Sequence, residues 1–392
     1  MKKHCSYLHL RLQAWILASL LAGLVTACGG GAEVGTGTLG ISLTDAPACG
    51  FDAVYVTVSK VRAQQQNSGG GWADITLTPS RKINLLDLNN GALENLGETS
   101  LPSGHYSQLR LVLDSRQAAG NSVVLTGTTT EIPLVTPSAM QSGIKLNAEF
   151  DVIADQRIDL VMDFNACKSI VKRGNGSYLL KPVIKLVPAA LNGIRGFVDT
   201  GLLASNVLVT AQQNGEVIQS TAPEPSGKFH LARLPVGVYD VVLTADGYAI
   251  SVITSVPVDT PTSEVFISIS GSPLFLHASA TNNIVSGTVK FDPVSTTEIA
   301  YVTAKQTLGA APIVTVKSVA ADDMTGAYSM TLPVDAPWLG QYSASLPIVL
   351  AAQVGVVGTY NLEAFANGYQ KISPVNVDVS TGNAVQDFSL AL

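Results

Sequence analysis

The chain has 392 residues and carries 23 Lys and Arg against 29 Asp and Glu, a formal net charge of −6. That balance, without any block of like charges, excludes the basic footprint of a nucleic-acid-binding protein, and the length allows about two to four ordinary domains. Charged residues make up only 13% of the chain, while Gly, Ser, Thr and Val are frequent and Val falls in short alternating runs, the composition of secreted all-β modules.

Residues 1–27 read as a removable export signal. Lys2, Lys3 and Arg11 form a positive head, Ala14 to Val25 an apolar core, and Thr26 and Ala27 a small-residue cleavage site. The apolar run falls short of the ~20 residues needed to span a bilayer. Leu24-Val25-Thr26-Ala27-Cys28 resembles the lipobox of bacterial lipoproteins. The resemblance implies that Cys28 becomes the first mature residue and carries a diacylglycerol and usually an N-acyl chain such as palmitate. Several acyl chains at roughly 0.8 kcal/mol per buried methylene make a stable anchor. Gly29 follows where inner-membrane retention usually shows Asp, so the resemblance points to the outer membrane of a Gram-negative bacterium. The other reading is an ordinary secretory signal with Cys28 incidental. Loss of Lys2, Lys3 and Arg11 takes the net charge from −6 to −9. Residues 28–37 are Gly-rich and read as a flexible tether.

Residues 38–190 form the first predicted domain. Val54, Val56 and Val58 alternate with Tyr55, Thr57 and Ser59; Leu109, Leu111 and Leu113 face away from Gln108, Arg110 and Asp114; Ile158, Leu160, Met162 and Phe164 line one face. This is the period of half-buried strands, and many such strands between turn signals indicate a sandwich or barrel. Gln64 to Gly71 reads as a hairpin tip, Ile83 to Leu88 as a strand or tight loop, and Leu179 to Val187 as a closing strand with Pro182 at an edge. Ser42-Leu43-Thr44-Asp45-Ala46-Pro47, Tyr106-Ser107-Gln108-Leu109-Arg110-Leu111 and Asp163-Phe164-Asn165-Ala166-Cys167-Lys168-Ser169 resemble the domain of unknown function 4382 family, found at the N-terminus of bacterial lipoproteins. That resemblance supports the fold and the address, carries no established activity and leaves function open.

With Cys5 in the signal and Cys28 lipidated, Cys49 and Cys167 remain. In an oxidising periplasm they most simply form a disulfide, which would stabilise by about 4–5 kcal/mol. Two buried thiols or one reactive cysteine are the alternatives, though neither has a CxxC partner or a close His.

A degenerate repeat follows, 191–272 and 282–392, the second copy carrying an insertion at 334–356. Ile194-Arg195-Gly196-Phe197-Val198 matches Val285-Ser286-Gly287-Thr288-Val289, Gly237-Val238-Tyr239 matches Gly358-Thr359-Tyr360, and Ala245-Asp246-Gly247-Tyr248 matches Ala366-Asn367-Gly368-Tyr369. Gly196 and Gly287 suggest close backbone approach, and the Asp-Gly and Asn-Gly pairs are turn dipeptides. The pattern resembles the carboxypeptidase regulatory-like domain, which implies prealbumin-like, Ig-like sandwiches and a non-catalytic role. Its wider class includes starch-binding modules. The fold class is therefore all-β, tandem β-sandwiches.

Chemistry is sparse. His105, His230 and His277 fall in three segments without a metal-ligand spacing, and no nucleophile elbow is present. Asp45, Asp151, Asp155, Asp159 and Asp163 offer a calcium reading, against which Asp159 and Asp163 fit the solvent face of a strand. The reading is thus a non-enzymatic, cofactor-free and metal-free lipoprotein, structural or interacting at the cell envelope. Its partners are the membrane through Cys28 and an envelope protein or glycan, with no nucleic acid. The alternative is a carbohydrate-binding lipoprotein that stacks sugars on Trp72, Trp338 and Tyr342, against which stands ordinary packing of these aromatics.

Overall fold

The computed structural model describes residues 35–46, 50–66, 71–114, 120–136, 143–189, 192–295, 298–309, 312–372 and 374–392. Cys28 and its leader, Cys49 and the tip of the first hairpin lie outside the described residues. The fold is all-β, and the described residues form six sheets with only short helical turns. No helix among the described residues is long and apolar enough to cross a membrane.

The first module packs two sheets around one core. Strand Thr36–Ala46 begins inside the stretch read as tether and pairs antiparallel with Glu94–Pro102 and parallel with Arg157–Asn165. Ile184–Pro188 completes this four-stranded sheet. Leu39, Ile41 and Leu43 point inward beside Leu160, Met162 and Phe164. Opposite lies an eight-stranded sheet centred on Phe51–Gln65 and Gly104–Leu113, whose Val54, Val56, Val58, Leu109, Leu111 and Leu113 fill the rest of the core. Period-two alternation produces this directly, because successive side chains leave a strand on opposite faces. The closing stretch is two strands rather than one: Tyr178–Leu180 belongs to the larger sheet and Ile184–Pro188 to the smaller. Pro182 lies between them, where no ladder N–H is required.

The second and third modules repeat strand for strand. In the second, Lys228–Ala232, Gly193–Phe197 and Glu264–Phe266 form a small sheet, and Glu216–Thr221, Leu208–Gln213, Gly237–Thr244 and Ser251–Val258 a larger one. The third has Ala327–Pro333, Asn282–Asp292 and Ala384–Val385 in the same order, and Ile313–Ala320, Tyr301–Thr307, Thr359–Phe365 and Val375–Asp378 in the other. The paired glycines answer to close approach: a Cβ on Gly196 would lie 2.6 Å from the Phe229 ring, and one on Gly287 1.9 Å from the Gln386 carbonyl. Tyr239 and Tyr360 are both buried and donate their hydroxyls, at 2.5 Å each, to the carbonyls of Pro235 and Pro333.

Beyond Val334, which stays in the third core, the insertion packs on the second sandwich. Its strand Trp338–Gln341 adds in parallel to Ser251–Val258 of the second module, and Ala351–Ala352 adds outside it. Ile348 enters the second module's core, with Tyr342, Leu346 and Leu350 packed around it. The linking residues 273–281 also lie on the second module, where Leu274 and Leu276 join the core. The third module thus clamps the second. A small apolar cluster of Val242, Ile250 and Val252 with Leu308 and Val314 seals the contact between them.

Candidate ligand cleft at the junction of the three modules

Each module touches the other two, chiefly through polar groups on outward strand positions. Between the second and third, Gln212 donates to the Thr315 carbonyl at 2.8 Å and accepts from the Thr315 N–H at 2.7 Å. Between the first and third, Arg173 meets Asp323 at 2.9 Å and Lys181 meets Glu298 at 2.9 Å, while Tyr301 donates to the Lys168 carbonyl at 2.9 Å. Between the first and second, Arg233 donates to the Gly91 carbonyl at 2.9 Å and Gln219 to Asp163 at 3.1 Å.

Where the three meet there is a cleft of about 680 Å³. The first module contributes Asn165, Cys167, Lys168 and Ile170 to its lining, and the second Leu208, Thr210, Glu216, Val217, Ser220 and Thr244. The third contributes consecutive residues of Ile313–Ala320 with Tyr301, Thr303, Lys305, Glu363, Phe365 and Lys371. A side pocket shares Asn165, Lys168, Val217 and Ser220 and has Asp163 in its wall.

Two cations in the cleft are matched. Lys305, 7% exposed, donates to Glu216 at 2.8 Å and pairs with Glu363 at 3.1 Å; Lys371 lies 2.7 Å from Glu363 and 3.5 Å from Glu216. Burial pushes the Glu216 carboxyl up, but the hydrogen bond and charge of Lys305, with Lys371, outweigh it and hold the group below its ordinary value. The hydrogen bond that Lys371 donates to Glu363 leads in raising the pKa of Lys371. Lys168 differs: among the described residues its ammonium has neither hydrogen bond nor ion pair, and burial, then Lys185, push its pKa down against the pull of Glu216. Tyr301, raised to about 12 by burial and then by Glu298, stays protonated.

The residues singled out from sequence do not converge. Trp72 lies on the first module with the guanidinium groups of Arg62 and Arg110 at 5.1 and 4.7 Å from its ring centroid. Trp338, half-buried in the clamp, stacks on His277 at 3.6 Å, and Tyr342 packs on the second module's core. Of the carboxylates, Asp45 accepts from the Ala166 N–H, Asp151 pairs with His105, and Asp159 pairs with Arg157. Among the described residues no three His, Cys, Asp or Glu are grouped as metal ligands. Asp163 is not on a solvent face: it is 7% exposed, because the second module covers the outer face of its strand. Cys167 is disulfide-bonded. The cleft residues escaped sequence reading, since Lys305 and Glu363 carry no motif, Lys168 falls in a family phrase that assigns it no role, and all three sit at positions that look solvated.

Architecturally this is an all-β protein of three interlocked modules. The family model for domain of unknown function 4382 matches residues 36–182. No curated protein matches. Among solved structures, the Streptococcal ancillary pilin is 12% identical over 91% of this chain and 98% of that one, with a TM-score of 0.20. A type II cohesin–X-dockerin complex from Acetivibrio cellulolyticus is 21% identical over 22% of this chain, with a TM-score of 0.20, and the Bacillus anthracis TIE protein 11% over 91%, with 0.18. The alignments span 58% and 50% of those last two chains. At these scores the likenesses carry no inference about this chain's partners.

Proposed function

We propose that the protein is a non-catalytic envelope lipoprotein, anchored through Cys28 at the outer membrane, that acts as a single interaction body rather than a string of spacers. The interlock carries this reading: strands from the third module's insertion complete the second module's sheet, and the first module packs on both. Independent spacers would keep their outer faces wet, whereas here Asp163, Gln212 and Lys305 are covered by neighbouring modules. The Cys49–Cys167 disulfide staples the first module; Cys167 is disulfide-bonded, and Cys49 is the one cysteine left once Cys5 is removed and Cys28 lipidated. A protein partner is preferred over a glycan because Trp72 and Trp338 already engage arginine and histidine.

Metabolic labelling with palmitate tests the anchor. Label is expected on the wild-type chain in the outer-membrane fraction and absent from Cys28→Ala, which should be released to the soluble fraction; equal labelling would remove the anchor. A glycan array and a pull-down on the same protein test the body. Saturable glycan binding lost in Trp72→Ala or Trp338→Ala would replace the protein-interaction reading with the carbohydrate one.

A further inference from the structure

The three-module cleft has the size of a small-molecule site, which commonly runs to ~300–1,000 Å³. Its walls are unevenly satisfied. Lys305 and Lys371 are neutralised by Glu216 and Glu363, and Lys317 leans toward Asp246 at 3.7 Å. Of the lysines lining the cleft, Lys168 alone has neither ion pair nor side-chain hydrogen bond among the described residues, and it also lines the side pocket, where Lys185 donates to the Val217 and Ile218 carbonyls. Its main chain is fixed, since Tyr301 donates to its carbonyl and Asn165 accepts from its N–H. Beside it runs an apolar wall: Tyr301 and Phe365 stack at 5.4 Å and 18°, and Phe365 keeps 36% of its surface open. Val217, Val316 and Val319 continue that wall.

We propose that this cleft binds a small amphiphilic monocarboxylate, its carboxylate accepting from Lys168 and its apolar body lying on Tyr301, Phe365 and the valines. One unmatched ammonium suits one negative charge. A dianionic phosphate would bring a second charge toward Glu216 and Glu363, and the other lysines of the cleft wall are already turned to carboxylates. A sugar acid would leave the aromatic wall uncovered and bury hydroxyls against valine, which is costly without partners. The depressed pKa of Lys168 agrees, because a half-buried ammonium without an ion pair gains from an anion; the bound anion restores the charged form, so affinity falls as rising pH deprotonates Lys168.

Calorimetric titration of the full chain with 4-phenylbutyrate tests this. Binding is expected at one site per chain, weakened about tenfold or more in Lys168→Gln, the loss expected for a charge-assisted hydrogen bond, and largely kept in Lys168→Arg. On the unaltered protein, 4-phenylbutyramide, which has the same body without the charge, is expected to bind about tenfold more weakly. Absence of saturable phenylbutyrate binding, equal binding of the amide, or Lys168→Gln binding like wild type would each overturn the proposal. Binding of glucuronate in preference to phenylbutyrate would overturn the apolar half of it.

Discussion

Asp163 and His230 stand on the two sides of the contact between the first and second modules, and burial moves them in opposite directions. Burial leads in raising the Asp163 carboxyl from 3.8 to about 6, against the Gln219 hydrogen bond and the charges of Lys185 and Arg233. The fold therefore favours the proton: this contribution is full below the unfolded value near 3.8 and is lost as pH rises through about 6. A shift of that size corresponds to about 3 kcal/mol. For His230, burial leads, followed by Arg195, in lowering the ring from 6.5 to about 4. Its contribution is present above 6.5 and lost as pH falls toward 4. Between pH 4 and 6 the two slopes oppose each other and partly cancel. Asp163→Asn is expected to stabilise the chain at pH 7, by up to about 3 kcal/mol, and to lose that advantage as pH falls toward 4. His230→Gln should do the reverse, flattening the acid limb. Urea midpoints measured from pH 4 to 8 check both; parallel pH profiles in wild type and Asp163→Asn would show that Asp163 ionises freely in the fold.

The element that changes the reading of this chain is the 334–356 insertion. It interrupts the third copy of the repeat, yet the strand it forms pairs in parallel with Ser251–Val258 and its Ile348 enters the second core. Ile348→Ala is expected to cost about 2 kcal/mol, the low end for a large-to-small core change because the site lies at the cluster's edge. The loss should appear in hydrogen exchange of Ser251–Val258, not in the third module's own strands. Protection loss confined to Thr359–Phe365 would place the insertion with its own copy instead. The strands and their inward faces were legible in advance because alternation such as Leu109, Leu111 and Leu113 records burial on one face. The repeat was legible because turns and close approaches demand particular residues: a Cβ on Gly287 would strike a carbonyl at 1.9 Å. The contacts between modules were not. Thr210, Gln212, Thr303 and Lys305 occupy outward positions of their strands, and a polar residue there looks alike whether water or another module covers it. For the same reason Asp163 read as solvated and the cleft had no signature.

At the scale of the whole molecule, the question is what couples the three sandwiches. Outside the insertion, whose Ile348 enters the second core, apolar contact between modules is slight, since the cluster around Val242, Val252 and Val314 is small. Most of the coupling passes through polar groups, and their burial decides their weight. Exposed pairs such as Lys317–Asp246 at 3.7 Å contribute on the order of 0–1 kcal/mol and fade with salt. Lys305 is another matter. Its side chain is 7% exposed and is held between Glu216 of the second module and Glu363, 10% exposed, of the third. Removing it leaves Glu363 buried with Lys371 as the nearest cation, and losing one member of a buried pair typically costs about 3–5 kcal/mol. Lys305→Met is accordingly expected to destabilise by about 3 kcal/mol, with little relief from added salt. Glu216→Gln should cost about 1 kcal/mol or less, because Glu216 is 65% exposed. The shape of the transition carries the rest of the test. If Lys305 joins the modules, wild type melts in one calorimetric step and Lys305→Met in two, the third module separating first. A Lys305→Met protein that melts lower but in one step would assign the ion network to the third module's own stability and leave the coupling to the insertion's interlocked strands and the remaining contacts between modules.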